Sequence, residues 1–254
     1  MAQIDFSVLT SEEDQETQAA VQEVIRQSGG TNMDFLSEPH VACCLLVDTS
    51  GSMQGEKIAE LNKALSNFRT VVCEDPLSAK RVDVCVISFD TEVKIVTPFC
   101  PITQFQPPRL FAEGGTSMAE GIRYALEAVH EQVRKYHAAG VECFKPFVLM
   151  ITDGMPTDDI RGIETLIANR ENQGKFGHLR FHAFGVQGAN MDTLAMLTHR
   201  VMAINNNAFD EIFDWASKSM QVISHSKPSN QALGADPTQN MIPYTPGSKL
   251  PWDD

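Results

Sequence analysis

Positive charge is scarce in this chain: 20 Lys and Arg stand against 33 Asp and Glu, a formal net charge of −13 over 254 residues. That deficit argues against a general nucleic-acid binder, because phosphate backbones call for surplus cationic side chains. It also disfavours adsorption on anionic membranes. Long apolar runs are missing as well, and no segment reaches the roughly 18 consecutive apolar residues of a membrane span. The first residues, with Asp5, Glu12, Glu13, Asp14 and Glu16, lack the basic and apolar regions of a secretory signal. Cysteine is sparse, at six, and no pair reads Cys-x-x-Cys, which speaks against a zinc ribbon, a thioredoxin-like site or a disulfide framework. Cys43, Cys44, Cys85 and Cys143 lie in or beside apolar runs, where a thiol packs as a small hydrophobe. None of the seven His falls into a zinc-binding pattern; His178 and His182 flank a strand-like run and read as surface or packing residues. The expectation is a soluble, reduced, cytoplasmic protein that binds neither nucleic acid nor membrane.

What is present is a large apolar share, 43 %, in a chain long enough for one sizeable α/β domain. From His40 onward, strand-like runs alternate with helical patterns. Val41–Val47 is a near-continuous apolar run of the kind buried in parallel sheets. Helix one, Glu56 to Cys73, puts Ile58, Leu61, Leu65 and Phe68 on one face. Val82–Phe89 is strand two, and Asp90-Thr91 turns into a short antiparallel edge strand, Val93–Val96. A Pro-rich loop then leads to a long helix from Ser117 to His137. Phe147–Ile151, Leu179–Val186 and Val201–Ile204 are strands four to six, and Asp158 to Asn172, Met191–Thr198 and Ala208–Ile223 the remaining helices. This alternation predicts a Rossmann-like, doubly wound, mostly parallel six-stranded sheet of order 3-2-1-4-5-6, with helices on both faces and strand 3 antiparallel.

Three regions follow. Residues 1–38 form an extension with a short amphipathic helix opened by Ser11-Glu-Glu-Asp and closed by Gly29-Gly30. Residues 39–225 hold the domain. Residues 226–254, with Pro228, Pro237, Pro243, Pro246 and Pro251 among polar residues, have a composition that rarely folds alone and are expected to be disordered. Tyr244 and Trp252 in that tail read either as a disordered end or as a short peptide for a partner.

In doubly wound sheets, ligands bind beyond the carboxyl ends of the strands where strand order reverses. Strand one ends in Asp48-Thr-Ser-Gly-Ser52, strand four in Thr152-Asp153-Gly154, and a third loop carries Gly114-Gly115-Thr116. Asp48, Ser50, Ser52, Thr116 and Asp153 therefore supply oxygen donors alone, the set preferred by a small hard cation such as Mg²⁺, which takes six oxygens at about 2.1 Å. Mn²⁺ suits the same donors, and Ca²⁺ suits them less well. Two carboxylates at most neutralise a divalent ion, so an Asp or Glu from a protein partner would find a favourable place on it. Taken singly, Ser50 or Thr116 reads as a turn or cap residue; Asp158 reads as a helix N-cap and Asp90 as a hairpin-turn residue.

This constellation resembles the metal-ion-dependent adhesion site of von Willebrand factor A (VWA) domains, over about residues 40 to 224. The wording Leu-Leu-Val-Asp-Thr-Ser-Gly-Ser-Met, Gly-Gly-Thr-Ser and Thr-Asp-Gly-Met-Pro-Thr-Asp is most similar to the bacterial TerY-like branch, associated with tellurite resistance and chemical stress. The resemblance implies a cytoplasmic adaptor or scaffold, not an enzyme, with kinase- or phosphatase-like proteins among its partners. Two features depart from that branch: the 1–38 extension and a tail without Cys. The competing readings are a metal-dependent phosphohydrolase and a regulatory subunit of an ATP-driven machine. Against the first, position 50 is Ser where phosphoaspartate hydrolases carry a second Asp. Gly-x-Ser-x-Gly and Gly-x₄-Gly-Lys-Ser/Thr loops are both absent.

Overall fold

The computed structural model describes residues 38–172, 179–205, 208–229, 234–238 and 241–252. The extension expected over 1–38 lies outside them but for its last residue, as does His178.

Strand β1 (Val41–Asp48) is buried along its whole length. Its side chains alternate between two cores, as the two-residue period of a strand requires. Ala42, Cys44 and Leu46 face one apolar cluster, and Val41, Cys43, Leu45 and Val47 face the other. A single 3₁₀ turn (Gly51–Met53) links β1 to α1 (Glu56–Cys73), which buries Leu61, Ala64, Leu65, Phe68 and Val72 in the second cluster. Then come α2 (Pro76–Arg81), β2 (Val82–Phe89), β3 (Val93–Pro101), α3 (Met118–Ala138), β4 (Phe147–Thr152) and α4 (Ile163–Asn172). The chain continues through β5 (Arg180–Gly185), α5 (Met191–Leu197), β6 (Val201–Ile204), α6 (Phe209–Ser224) and β7 (Met241–Pro243). Residues of α3, α4 and α5 fill the first cluster, and residues of α1 and α6 the second. Each fully buried Leu, Val or Phe contributes on the order of 2 kcal/mol, so both faces of the sheet supply much of the driving force.

The sheet runs β3-β2-β1-β4-β5-β6-β7. Its first six strands keep the expected order; β1 pairs in parallel with β2 and β4, and β3 is antiparallel. The strand count differs from expectation. A seventh strand, β7, comes from the tail and pairs antiparallel with β6, Ile204 opposite Met241. Composition measures whether a segment can fold alone, and this one does not have to. The free edge of β6 offers it backbone partners, and the core takes up Met241, which is 2 % exposed. Tyr244 is tied down in its own chain, its amide donating to Val201 O (2.9 Å) and its hydroxyl to Asp192 Oδ1 (2.7 Å). Trp252 packs, partly buried, against the first cluster. These contacts replace the free peptide or disordered end expected for the two residues.

Two smaller differences have local causes. Helix α4 starts at Ile163 rather than Asp158, after a turn with Gly162 at φ +82°. Asp158 caps a neighbouring helix instead: its Oδ2 accepts from Glu120 N at 3.0 Å, in the first turn of α3, where Ser117 gives no side-chain cap. Asp90 does shape its turn, accepting from Glu92 N at 2.9 Å, and it also accepts from the Thr49 hydroxyl at 3.2 Å.

His182 is a packing residue. Its ring stacks with Phe147 and Phe184, lies 5.0 Å from Trp215, and neither ring nitrogen has a partner among the described residues. Burial, aided by the charges of Arg200 and Arg180, lowers its pKa to about 3. The unfolded chain takes up a proton at this position below about pH 6.5 and the folded chain does not, so stability falls as pH drops from there toward 3. His182→Phe is expected to flatten that acid limb, recovering about 2 kcal/mol at pH 4.5 relative to pH 7. Urea midpoints of both proteins at the two pH values measure the difference.

Candidate metal centre

The β1–β4 register places Val47 opposite Ile151, so Asp48 and Thr152 end their strands side by side at the point where strand order reverses. Asp48 is fully buried. Its Oδ1 accepts from Ser50 N (2.8 Å), which folds the loop back over the strand end, and its Oδ2 accepts from the Thr152 hydroxyl (2.5 Å). Burial pushes the Asp48 carboxyl up to about 6, against the hydrogen bonds from Ser50 and Thr152, and the neighbouring Asp153 charge adds to the rise. Thr152 Oγ1 also accepts from Gly154 N (3.1 Å), so one hydroxyl shapes both strand ends.

From Asp48 the polar chain runs outward. Ser50 Oγ lies 3.0 Å from Ser52 Oγ, and Ser52 Oγ donates to Asp153 Oδ1 at 2.7 Å. The other Asp153 oxygen accepts from Lys57 Nζ, which donates also to Gln187 O (2.9 Å). Thr116 arrives from the third loop. Its amide donates to Thr157 Oγ1 (3.0 Å) and its carbonyl accepts from Thr157 N (2.9 Å), locking that loop to the one after β4. A Cβ placed on Gly154 would lie 3.1 Å from Thr116 Oγ1 and 3.2 Å from Asp48 Oδ2, so both oxygens face the same small space.

Loop geometry keeps that space open. Gly51 N donates to Gly114 O (3.0 Å) and Glu113 N to Thr49 O (2.8 Å), drawing the first and third loops together. Gly114 sits at φ +73°, where a Cβ would lie 2.3 Å from Thr91 Oγ1; only glycine fits there. At the rim, Phe111 and Met155 are 68 % and 61 % exposed, each in a loop adjoining the centre.

The structure thus brings Asp48, Ser50, Ser52 and Asp153 into one hydrogen-bonded chain and sets Thr116 beside it. Among the described residues no group of three or more His, Cys, Asp and Glu side chains is placed to hold a metal ion, so any ion here rests on two carboxylates and three hydroxyls. That donor set suits a small hard cation. In an octahedral shell of about 2.1 Å radius, adjacent oxygens stand about 3 Å apart, the spacing of the two serine hydroxyls. The sequence reading missed Thr152, Thr157, Thr91 and Lys57. Register would have disclosed Thr152; the other three make contacts across loops that no local spacing encodes.

Residues 43–155 match the von Willebrand factor type A domain family. No curated protein matches the chain. Among solved structures, the PilB minor pilin from Streptococcus sanguinis aligns at TM-score 0.52 and 15 % identity, covering 72 % of this chain and 62 % of that one. The pilus adhesin SpaC from Lactobacillus rhamnosus GG aligns at TM-score 0.54 and 15 % identity, covering 76 % of this chain and 32 % of that one. The chain therefore spans less than two thirds of either protein, and the likeness is one of fold. The sheet order and the reversal point between β1 and β4 agree with the match over 43–155, and over those residues the chain is similar to the von Willebrand factor type A domain family.

Proposed function

We propose that the loop face binds one Mg²⁺ or Mn²⁺ through Asp48, Ser50, Ser52, Thr116 and Asp153, and that the ion captures an Asp or Glu carboxylate of a protein partner. The observation that carries this reading is the shared space beside Gly154, faced by a buried carboxylate and a threonine hydroxyl that have separate loops behind them. Ser52 and Asp153 extend the same oxygen surface outward. Ca²⁺ is the poorer fit, since it takes six to eight oxygens at longer distances. Phe111 and Met155 at the rim favour a partner whose acidic residue is flanked by apolar ones. The chain acts in this reading as an adaptor and not as an enzyme. Its wording around the three loops supports a place in a bacterial stress response of the tellurite-resistance type, beside kinase- or phosphatase-like proteins. Six free cysteines, three of them fully enclosed in the sheet, agree with a reducing cytoplasm.

Manganese titration followed by electron paramagnetic resonance tests the metal. The wild type is expected to bind one ion per chain. Gly154→Ala pushes a methyl toward Thr116 Oγ1 and Asp48 Oδ2, and Ser52→Ala removes one donor; each is expected to weaken binding at least about tenfold, the loss of one good metal contact. Equal affinity in all three proteins would sink the assignment. Affinity capture of bound proteins from cell extract, with and without EDTA, then reads the partner.

A further inference from the structure

Lys57 belongs to no motif that points to metal, yet its ammonium donates directly to a candidate ligand. It stands in the first turn of α1, its side chain 22 % exposed, and its Nζ donates to Asp153 Oδ2 and to Gln187 O. The Asp153 side chain is completely buried. Its two oxygens are divided between neighbours: Oδ1 receives the Ser52 hydroxyl on the side of the centre, and Oδ2 receives Lys57. The loop after β5 closes over the pair. Gly188 there has φ +104°, and a Cβ on it would lie 3.3 Å from Asp153 O and 3.7 Å from Lys57 Nζ. The ammonium is therefore built into the site rather than swinging in solvent, joining the starts and ends of three loops.

Accepting the metal reading above, we propose that Lys57 is a resident cation that sets the charge of the centre. Without a divalent ion it neutralises buried Asp153 and keeps the loops assembled. With one, it lowers the ion's affinity but keeps the ion hungry for a carboxylate. The charge count makes the point. Asp48 and Asp153 bring two negative charges, which at most cancel a divalent ion and leave the loaded face near neutral. Lys57 returns one positive charge, so the loaded face stays cationic toward an acidic partner. Buried charges of this kind act strongly because little water screens them. Lys57 is thus a positioning and specificity residue; it touches a ligand of the ion, not the ion.

The test compares full-length wild type with Lys57→Met, Lys57→Gln, Lys57→Arg and Asp48→Ala. Manganese affinity is read by electron paramagnetic resonance, and acetate binding to the loaded protein by water-proton relaxation. Lys57→Met is expected to bind Mn²⁺ on the order of tenfold more tightly, to bind acetate more weakly, and to melt lower in EDTA. Lys57→Gln keeps a donor for Asp153 and must show the same tightening, which guards against a folding defect in the Met variant. Lys57→Arg keeps the charge and should follow the wild type. Wild-type binding with equal or weaker binding in both neutral variants overturns the role of Lys57 and leaves the metal reading standing. Identical Mn²⁺ binding by wild type and Asp48→Ala overturns the metal reading, and this proposal with it.

Discussion

Asp48→Asn is expected to raise the melting temperature of the EDTA-treated protein by about 5 °C at pH 7.5 while abolishing its response to Mn²⁺. The wild-type carboxyl is fully buried, and burial lifts its pKa to about 6, from about 3.9 in an unfolded chain. Because the folded value is raised, the stability linked to the protonated form is fully present below about pH 4 and is lost as pH rises through 6. At neutral pH the ionised group costs on the order of 2 kcal/mol. Asn is neutral at every pH, can accept the Ser50 amide through its oxygen, and can donate to Thr152 through its nitrogen. The gap between variant and wild type should therefore close near pH 4 and open fully above 6. A divalent ion would reverse the order, since it rewards the negative charge that the empty fold resists. Thermal melts of both proteins at pH 4 and 7.5, with EDTA and with Mn²⁺, give four differences that decide the matter. A variant less stable than wild type in EDTA at pH 7.5 would contradict the account.

At the opposite pole of the sheet, Asp83→Ala is expected to cost about 3 kcal/mol without altering metal affinity. Asp83 is the second residue of β2 and is 1 % exposed; its Oδ2 accepts from His40 Nδ1 (2.8 Å) and from the Tyr136 hydroxyl (2.6 Å). His40 precedes β1, and Tyr136 lies in the last turns of α3, so one carboxylate fastens two strands and a helix. Full burial, and then the charge of Asp83, push the Tyr136 hydroxyl well above its ordinary range, which keeps it a hydrogen-bond donor. Alanine leaves His40 and Tyr136 without their acceptor in a place water does not reach. Tyr136→Phe removes only one donor and should cost about 1 kcal/mol. Urea unfolding of both single variants and the double variant measures the coupling, and Mn²⁺ titration of each confirms that the far end is untouched. A loss below 1 kcal/mol for Asp83→Ala would show that the network is not a fastening.

The order of the first six strands was legible because it rests on two local signals, alternation of strand and helix and the apolar continuity of Val41–Val47 and Phe147–Ile151. The five candidate donors were legible because each ends a strand or follows a Gly-Gly turn. What was hidden depends on pairing between distant segments. Helix α2 is a partial exception: Asp75 caps it through Ser78 N (2.8 Å) with Pro76 at its first position, a signal present in the sequence but too short to stand out. Asp158 was recognised as a cap, yet sequence could not tell that it serves α3, 38 residues earlier. Nothing beside Lys57 in the sequence marks it, because its partners Asp153 and Gln187 arrive from loops about a hundred residues or more away.

The strand contributed by the tail also bears on how this chain keeps to itself. β6 has four residues and, without Met241–Pro243 alongside, would present an open row of amides and carbonyls at the end of a six-stranded sheet. Such a row invites a strand from a second copy. Proline-rich residues past Ser226 thus act as a hem, and a chain shortened there would be prone to stick to its own kind before its loop face met anything else.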